Sequence, residues 1–286
     1  PYTTLFRSAG REAELMHRVV GHLFGCPELA AEQDVSLAQS AYTSGLLYGN
    51  YEWMAGFTLI LLSLFFVSST AYAQPMACAV PDVLTPLPVE TAPAAEVKHV
   101  PVQGYLLALS WSPQYCRGRQ SVAQDAGQCG PQARFGFVLH GLWPEGEAQH
   151  DPAWCAPAKP LSPQLMRQHF CMTPSAALLQ HEWAKHGTCM TDDPATYFET
   201  GAQLYRRLRF PNMRVLSRQT HSTASFAAAF ARGNPGLQPD MLRVMVDQSG
   251  WLKEVRLCLG RDVRPRPCPM GEPGKPDQRP VRIWRR

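Results

Sequence analysis

The spacing of apolar residues from position 104 onward predicts strands at both ends of this region. We expect four strands, at residues 105–111 (YLLALSW), 134–139 (RFGFVL), 242–246 and 252–259. The first strand carries Leu106 and Ala108 between its other apolar residues, which indicates burial on both faces. The second strand leads directly into His140, and the last two form a hairpin around the turn residues 247–250 (DQSG).

Helical spacing dominates the region between these strands. A capping residue followed directly by proline is typical of a helix start, and it occurs three times, at 162–163, 173–174 and 193–194. We expect four helices, from Ser162 to about residue 170, from 174 to 186 with Gly187 as the stop, from Asp193 through Leu208, and from 222 to 231. Strands at both ends with helices between them indicate an α+β fold, in which helices flank a central antiparallel sheet.

An apolar run, residues 57–67 (FTLILLSLFFV), precedes the small-residue segment 71–73 (AYA). The run is shorter than the roughly 20 residues that a transmembrane helix needs. The combination is typical of a secretory signal cleaved after Ala73, with a buried apolar helix as the alternative. We therefore expect residues 54–73 to be a signal peptide, residues 1–53 to be a non-native or read-through segment, and the protein to be secreted or periplasmic.

The cysteine count agrees with this cleavage. Removing residues 1–73 removes Cys26 and leaves eight cysteines, an even number. An even count behind a secretory signal indicates disulfide bonds and an oxidising compartment. Residues 74–101 carry six prolines, and we expect an extended lead-in that is ordered only if Cys78 ties it to the rest.

The remaining residues, 102–286, are enough for one domain with a well-formed core. The net charge of +4 is too small to identify a nucleic-acid-binding protein, and the Arg- and Pro-rich residues 261–286 are expected to form a basic tail. The sequence has no internal repeat and no Gly-rich phosphate loop. Evidence for a function must therefore come from local patterns.

Two short segments concentrate the titratable side chains, residues 140–145 (HGLWPE) and 181–189 (HEWAKHGTC). The second is similar to a zinc peptidase helix, in which two histidines stand four residues apart. Here Lys185 stands four residues after His181, and His186 follows at the fifth position, about 140° around a helix axis. Because an ammonium group at a ligand position opposes a dication, a zinc hydrolase is the weaker hypothesis.

The second segment supplies proton shuttles and a positive charge without an activated nucleophile. Glu182 and His186 share a helix face, where a carboxylate raises the pKa of an imidazole, and Lys185 lowers it. Neither segment pairs a serine or cysteine with a histidine in the way that acyl transfer requires. This arrangement suits a reaction in which the substrate brings its own nucleophile. RNA does so through its 2′-hydroxyl, and the reaction then needs a base, an acid and positive charge near the phosphorus. His140 would complete the acid–base pair, and tryptophans near it could stack on bases of single-stranded RNA.

The two segments, in this order and spacing, resemble the active-site segments of the ribonuclease T2 family. Residues 105–116 (YLLALSWSPQYC) resemble the first core strand of that family, and the likeness extends over roughly residues 104–268. The resemblance implies a disulfide-stapled α+β fold and a metal-independent endoribonuclease without a cofactor. The implied reaction passes through a 2′,3′-cyclic phosphate, which makes the enzyme an RNA lyase.

The resemblance also implies roles for individual residues. His186 is implied to be the base and His140 the acid. His181 is implied to bind phosphate. Glu182 and Lys185 are implied to steady the phosphate and the pentavalent transition state.

A further set of residues is implied to bind the substrate. Trp143 is implied to lie in the site, and Glu145 to help read a base. Trp154 and the helix start Pro174-Ser175 are weaker candidates for the same task. We expect single-stranded RNA as the partner, low base specificity, a monomer, and no membrane association after signal cleavage.

The family resemblance implies two disulfide bonds, Cys155–Cys189 and Cys258–Cys268. The other four cysteines, Cys78, Cys116, Cys129 and Cys171, allow three pairings, among which the sequence does not choose. A hypothesis from another class also stays open: a secreted, disulfide-stapled binding protein on the same fold that leaves catalysis unused.

Overall fold

A computed structural model of the chain describes residues 77–148, 150–270 and 273–285, all within the unit Ser69–Arg286. The predicted signal peptide, the segment 1–53 and Cys26 lie outside the described residues. Within these ranges, every helix falls short of the length and apolar character that crossing a membrane demands.

The described residues form strands at both ends with helices between them, as the sequence predicts. The strands are β1 (Gly104–Trp111), β2 (Phe137–Glu145), β3 (His221–Ser222), β4 (Leu242–Val246), β5 (Leu252–Leu259) and β6 (Pro280–Val281). The helices are α1 (Ser112–Tyr115), α2 (Ala126–Cys129), α3 (Pro163–His169), α4 (Ala176–Lys185), α5 (Pro194–Arg207), α6 (Met213–Leu216) and α7 (Thr223–Arg232). The predicted α+β fold is therefore confirmed.

One antiparallel sheet, in the order β2-β1-β5-β4, organises the domain. Residues 107–109 of β1 are completely buried, as its two apolar faces predict. Phe226 and Phe230 of α7 are also fully buried, and the Phe230 ring meets Phe137 of β2 edge-on, with ring centroids 6.0 Å apart. The large aromatic side chains of the core thus fix the helical layer against the sheet.

The second strand lies further along the chain than predicted. The expected strand at 134–139 is wrong in both limits, since β2 runs from Phe137 to Glu145 and includes the whole HGLWPE segment. Pro144 lies inside this strand, which is possible because β2 is at the edge of the sheet, where a missing N–H breaks no ladder. The first candidate segment is therefore part of the rigid sheet rather than a loop.

The helix with the second candidate segment is shorter than predicted. It spans Ala176–Lys185 instead of 174–186, because Ser175 supplies the N-cap by accepting from the Leu178 N–H at 3.2 Å. The hydroxyl of Thr173, the predicted cap, instead donates to the Leu139 carbonyl at 2.7 Å. The other three predicted helices begin at their expected caps, Ser162, Asp193 and Ser222.

Gly187 follows the end of α4, where a short 3-10 turn, Gly187–Cys189, replaces the simple stop that we predict. Its φ is not positive, so conformational freedom is not the reason for a glycine here. A Cβ at this position would lie 2.3 Å from the ring of Trp183. The glycine is therefore required by the close approach of the turn to that ring.

Four disulfide bonds are present in the described residues, Cys78–Cys171, Cys116–Cys129, Cys155–Cys189 and Cys258–Cys268. The last two are the pairs that the family resemblance implies. The first ties the Pro-rich lead-in to the domain, which is the condition under which we expect that segment to be ordered. The lead-in also places Leu84 in the core.

The expected basic tail is not a free tail. Its strand β6 pairs with β3, and Val281 is fully buried with Ile283 close behind it. The backbone carbonyl of Trp284 also accepts a hydrogen bond from the indole of Trp111 at 2.8 Å. The apolar residues Val281 and Ile283 stand two apart, a spacing that indicates a buried strand face. This spacing was the available sequence signal within the otherwise charged segment.

Candidate active site

A bulge in the sheet sets the position of His140. Ala108 of β1 pairs with Gly141 and Leu109 pairs with Leu139, so His140 is the extra residue of β2. Bulges change the direction of a side chain relative to the regular pleat. The imidazole of His140 turns toward β5, and its Nδ1 lies 2.8 Å from an Oε atom of Glu254.

Glu254 connects His140 to a polar network that our sequence analysis missed. The same carboxylate accepts a hydrogen bond from the Ser110 hydroxyl at 3.2 Å and one from Nε of Arg256 at 2.6 Å. Glu254 and Arg256 stand two apart in an otherwise mostly apolar strand, which places both charges on one face. This alternation was the available sequence signal for a polar face on β5. Only the strand order shows that this face lies next to His140.

Glu182 reaches the same place from α4. One of its carboxylate oxygens accepts from the indole N–H of Trp143 at 2.7 Å, and the other lies 3.5 Å from Nε2 of His140. A Cβ on Gly141 would lie 1.9 Å from this carboxylate, so the glycine makes the approach possible. We predict that Glu182 acts on His186 across one helix face, and this prediction names the wrong histidine. The carboxylate contacts Trp143 and His140 instead.

His186 is the C-cap of α4, and its ring lies 5.5 Å from the ring of Trp143. The other histidine, His140, meets Trp143 edge-on at 5.0 Å, and the guanidinium of Arg256 lies 4.7 Å from the same ring. Trp143 is therefore in ring contact with both histidines. Within the described residues, Nδ1 of His186 is buried and has no hydrogen-bond partner.

The surroundings of His140 favour the protonated imidazole. Burial opposes the charge, but the hydrogen bond to Glu254 and the charges of Glu182 and Glu254 outweigh it and raise the pKa of His140 above its ordinary value. Burial would also raise the pKa of Glu254, yet the hydrogen bond and charge of His140, together with Arg256, lower it to about 2. His140 and Glu254 thus form an ion pair.

The surroundings of His186 favour the neutral imidazole. Burial comes first, and the positive charges of Lys185, His181 and His140 add to it, lowering the pKa of His186 to about 3. Burial also raises the pKa of Glu182 to about 7, against the opposing effects of His140 and the Trp143 hydrogen bond. Two histidines in ring contact with one tryptophan are therefore held in opposite protonation states, one suited to donate a proton and one to accept it.

His181 and Lys185 lie four residues apart on α4 and so share a face. Both are about two-thirds buried, and both meet carboxylates of the lead-in. Nδ1 of His181 lies 2.7 Å from Glu90, and Nζ of Lys185 lies 3.4 Å from Glu96. Lys185 thus supplies a positive charge, and His181 a ring N–H donor, to an oxyanion beside the histidines.

The predicted base-binding residues are in different situations. Glu145 is buried at the end of β2 and lines a cavity of about 430 Å³, whereas Trp154 is packed between Ala153 and Ala184. Pro174 is buried and the Ser175 hydroxyl caps α4, so neither presents a free polar group. Trp143 is in ring contact with both His140 and His186.

The side chains that the structure describes include no group of three or more His, Cys, Asp or Glu residues placed to hold a metal ion. The contacts of the described site residues offer proton transfer at His140 and His186, a positive charge at Lys185 and a hydrogen-bond donor at His181.

The ribonuclease T2 family model matches residues 102–262, which contain both candidate segments and the β5 network. A protein named "Probable ribonuclease" from Haemophilus influenzae is 37% identical over 126 residues, covering 40% of this chain and 46% of that protein. A protein named "Ribonuclease" from Aeromonas hydrophila is 30% identical over 164 residues, covering 55% of this chain and 72% of that protein. The chain thus spans about half the length of the first relative and nearly three quarters of the second.

Two solved structures are similar in fold. An RNase-related protein from Calystegia sepium has a TM-score of 0.52 at 21% identity, covering 64% of this chain and 98% of that chain. Trichomaglin, described as an S-like ribonuclease, has a TM-score of 0.52 at 19% identity, covering 64% of this chain and 97% of that chain. At these identities the likeness concerns the fold alone.

Proposed function

Since this chain belongs to the ribonuclease T2 family, we propose that it is an endoribonuclease that cleaves single-stranded RNA. The proposed reaction is a metal-independent transphosphorylation through a 2′,3′-cyclic phosphate, with low base specificity. The observation that carries the proposal is the pair of histidines at Trp143. One is held as a cation by Glu254 and the other is kept neutral by burial and neighbouring cations.

The opposite protonation states assign a direction to the proton transfers. Neutral His186 takes the proton from the 2′-hydroxyl as its oxygen attacks the adjacent phosphorus. The bond from phosphorus to the 5′-oxygen breaks, and the cation of His140 gives its proton to that leaving oxygen. The products are a 2′,3′-cyclic phosphate and a free 5′-hydroxyl, with His186 protonated and His140 neutral. Proton exchange with water restores both histidines.

Charge at the phosphorus is the second requirement of this reaction. The attacked phosphate gains negative charge as the pentavalent state forms, and cations fixed nearby stabilise that charge selectively. We assign this task to Lys185 and His181, with Glu182 holding Trp143 and the acid in place. Four disulfide bonds support an oxidising compartment, and we propose that the protein is secreted or periplasmic.

The direct test is digestion of a single-stranded RNA by the oxidised protein in excess chelator. We expect cleavage, with 2′,3′-cyclic phosphate on the new ends, because no step requires a metal. A matched strand with 2′-O-methyl riboses should remain intact, since it lacks the nucleophile. Chelator-sensitive cleavage, or cleavage of the methylated strand, would contradict the mechanism. Binding of RNA without cleavage by a folded sample would instead identify a binding protein.

We also expect a bell-shaped dependence of kcat/KM on pH. Activity should rise with pH as His186 loses its proton, near its lowered pKa of about 3. Activity should fall as pH passes the raised pKa of His140, because the acid is then neutral. The alkaline limb belongs to His140 and Glu182 together, since they are coupled. Kinetics from about pH 2 to about pH 9 check this, and activity that keeps rising above neutrality would contradict it.

A further inference from the structure

The described part of the lead-in, residues 77–101, contacts the face of α4 that carries His181 and Lys185. Glu90 accepts from Nδ1 of His181 at 2.7 Å. One oxygen of Glu96 accepts from both Nζ of Lys185 and the indole N–H of Trp154, each at 3.4 Å. The family match begins at residue 102, so these contacts come from a segment outside the matched region.

Both ends of the lead-in are fixed to the domain. Cys78 is bonded to Cys171, and Lys98 forms two backbone hydrogen bonds with Ala153, at 2.9 and 3.1 Å. The segment between these points is therefore tethered to the domain on both sides, whether or not its carboxylates contact His181 and Lys185. A tethered group has a high effective concentration at its target, so weak individual contacts suffice to keep it there.

The contacts themselves are open to solvent on one side. The carboxylate side chains of Glu90 and Glu96 are 46% and 50% exposed, while those of His181 and Lys185 are 33% and 30% exposed. Ion pairs of this kind contribute little stability and exchange readily with another anion. A carboxylate and a phosphate use the same donors, because both present oxygens that accept hydrogen bonds from ammonium and imidazole groups.

We propose that Glu90 and Glu96 are a built-in competitor for the phosphate site, which an RNA phosphate must displace before it can bind. The inference rests on the proposed function only in taking His181 and Lys185 as the phosphate-binding pair. The lead-in thus determines substrate affinity. When only a fraction of the protein has the site uncovered, the apparent dissociation constant rises in inverse proportion to that fraction. Chemistry after displacement is unaffected.

The test compares wild type with the double variant Glu90→Gln, Glu96→Gln, which keeps the shape of both side chains and removes their charge. Inorganic phosphate is the first probe, because its binding is measured by calorimetry without turnover. We expect about 2- to 10-fold tighter phosphate binding in the double variant, from the usual size of two exposed ion pairs. We expect KM for RNA to fall by the same factor while kcat stays within about twofold.

Three controls make the result specific. Asp82→Asn changes the charge of the same segment by one unit at an exposed position and should leave phosphate affinity unchanged. His181→Gln should reduce the gain, because it removes one of the two contested donors and leaves only the contact of Lys185 with Glu96 to be relieved. The difference between wild type and the double variant should shrink as salt is raised, because salt screens exposed ion pairs.

The outcomes separate the two proposals. Unchanged or weaker phosphate binding in the double variant, or a gain that His181→Gln leaves undiminished, would overturn the proposal that Glu90 and Glu96 compete with phosphate. Tighter phosphate binding without any RNA cleavage would support competition by Glu90 and Glu96 and contradict the proposed ribonuclease function. A fall in kcat with unchanged KM in the double variant would also contradict the proposal, since it would show that Glu90 and Glu96 take part in catalysis rather than compete with phosphate.

Discussion

Replacing either His140 or His186 with alanine should lower kcat/KM for single-stranded RNA by about 10²- to 10⁴-fold, the usual contribution of general acid–base catalysis. Each replacement removes one proton transfer and leaves the cations of His181 and Lys185 in place. The two histidines act in one concerted sequence, so the double variant should be little worse than the poorer single variant. Steady-state kinetics on a short RNA, with end-group analysis of the product, measures these losses.

The assignment of base and acid can be separated from mere loss of function. In His186→Ala, the acid limb of the pH profile should disappear, because that limb reports the pKa of His186. In His140→Ala, the alkaline limb should disappear, because that limb reports the pKa of His140. His99→Ala is the matched control, because His99 is an exposed histidine that plays no part in this site. If His186→Ala kept near wild-type activity, the base would be another group and the proposed mechanism would fail.

The candidate catalytic side chains could be proposed from the sequence because they belong to two short, dense segments. The sequence identifies His140 and His186, and the fold brings both to Trp143. The direction of the His140 side chain was not predictable from the segment, since it depends on a bulge in the pairing of β2 with β1. Register is a property of two strands, and one segment read alone does not contain it.

Glu254 illustrates a second limit. It lies 114 residues from His140 along the chain, and the sequence analysis placed it in a hairpin without a catalytic neighbour. The sheet order puts β1 between β2 and β5, and Ser110 of β1 pairs with both Val138 and Glu254. Only this order shows that the polar face of β5 and the bulge of β2 meet at Ser110.

The lead-in shows the same limit for a covalent link. Its six prolines predicted an extended segment, but four cysteines left three possible pairings. The pairing Cys78–Cys171 decides where the segment begins, and the bridge at Lys98 decides where it ends. The contacts of Glu90 and Glu96 follow from these two fixed points and have no local sequence signal.

Glu254→Gln should lower kcat/KM by on the order of 10²-fold at neutral pH, the lower end of the usual contribution of a general acid. The amide keeps the shape of the carboxylate but no longer stabilises the imidazolium of His140. The pKa of His140 should then fall, because burial is no longer outweighed by the hydrogen bond and charge of Glu254. The alkaline limb of the pH profile should move to lower pH.

The direction of this shift distinguishes a positioning residue from a structural one. Acidification restores the proton on His140, so the activity of Glu254→Gln should recover partly below neutral pH, whereas a folding defect would not recover. Lys253→Gln is the matched control, since Lys253 is the exposed neighbour on the opposite face of the same strand. An unchanged alkaline limb in Glu254→Gln would show that another group sets the protonation of His140. In that case the ion pair seen at 2.8 Å would serve the fold rather than the reaction.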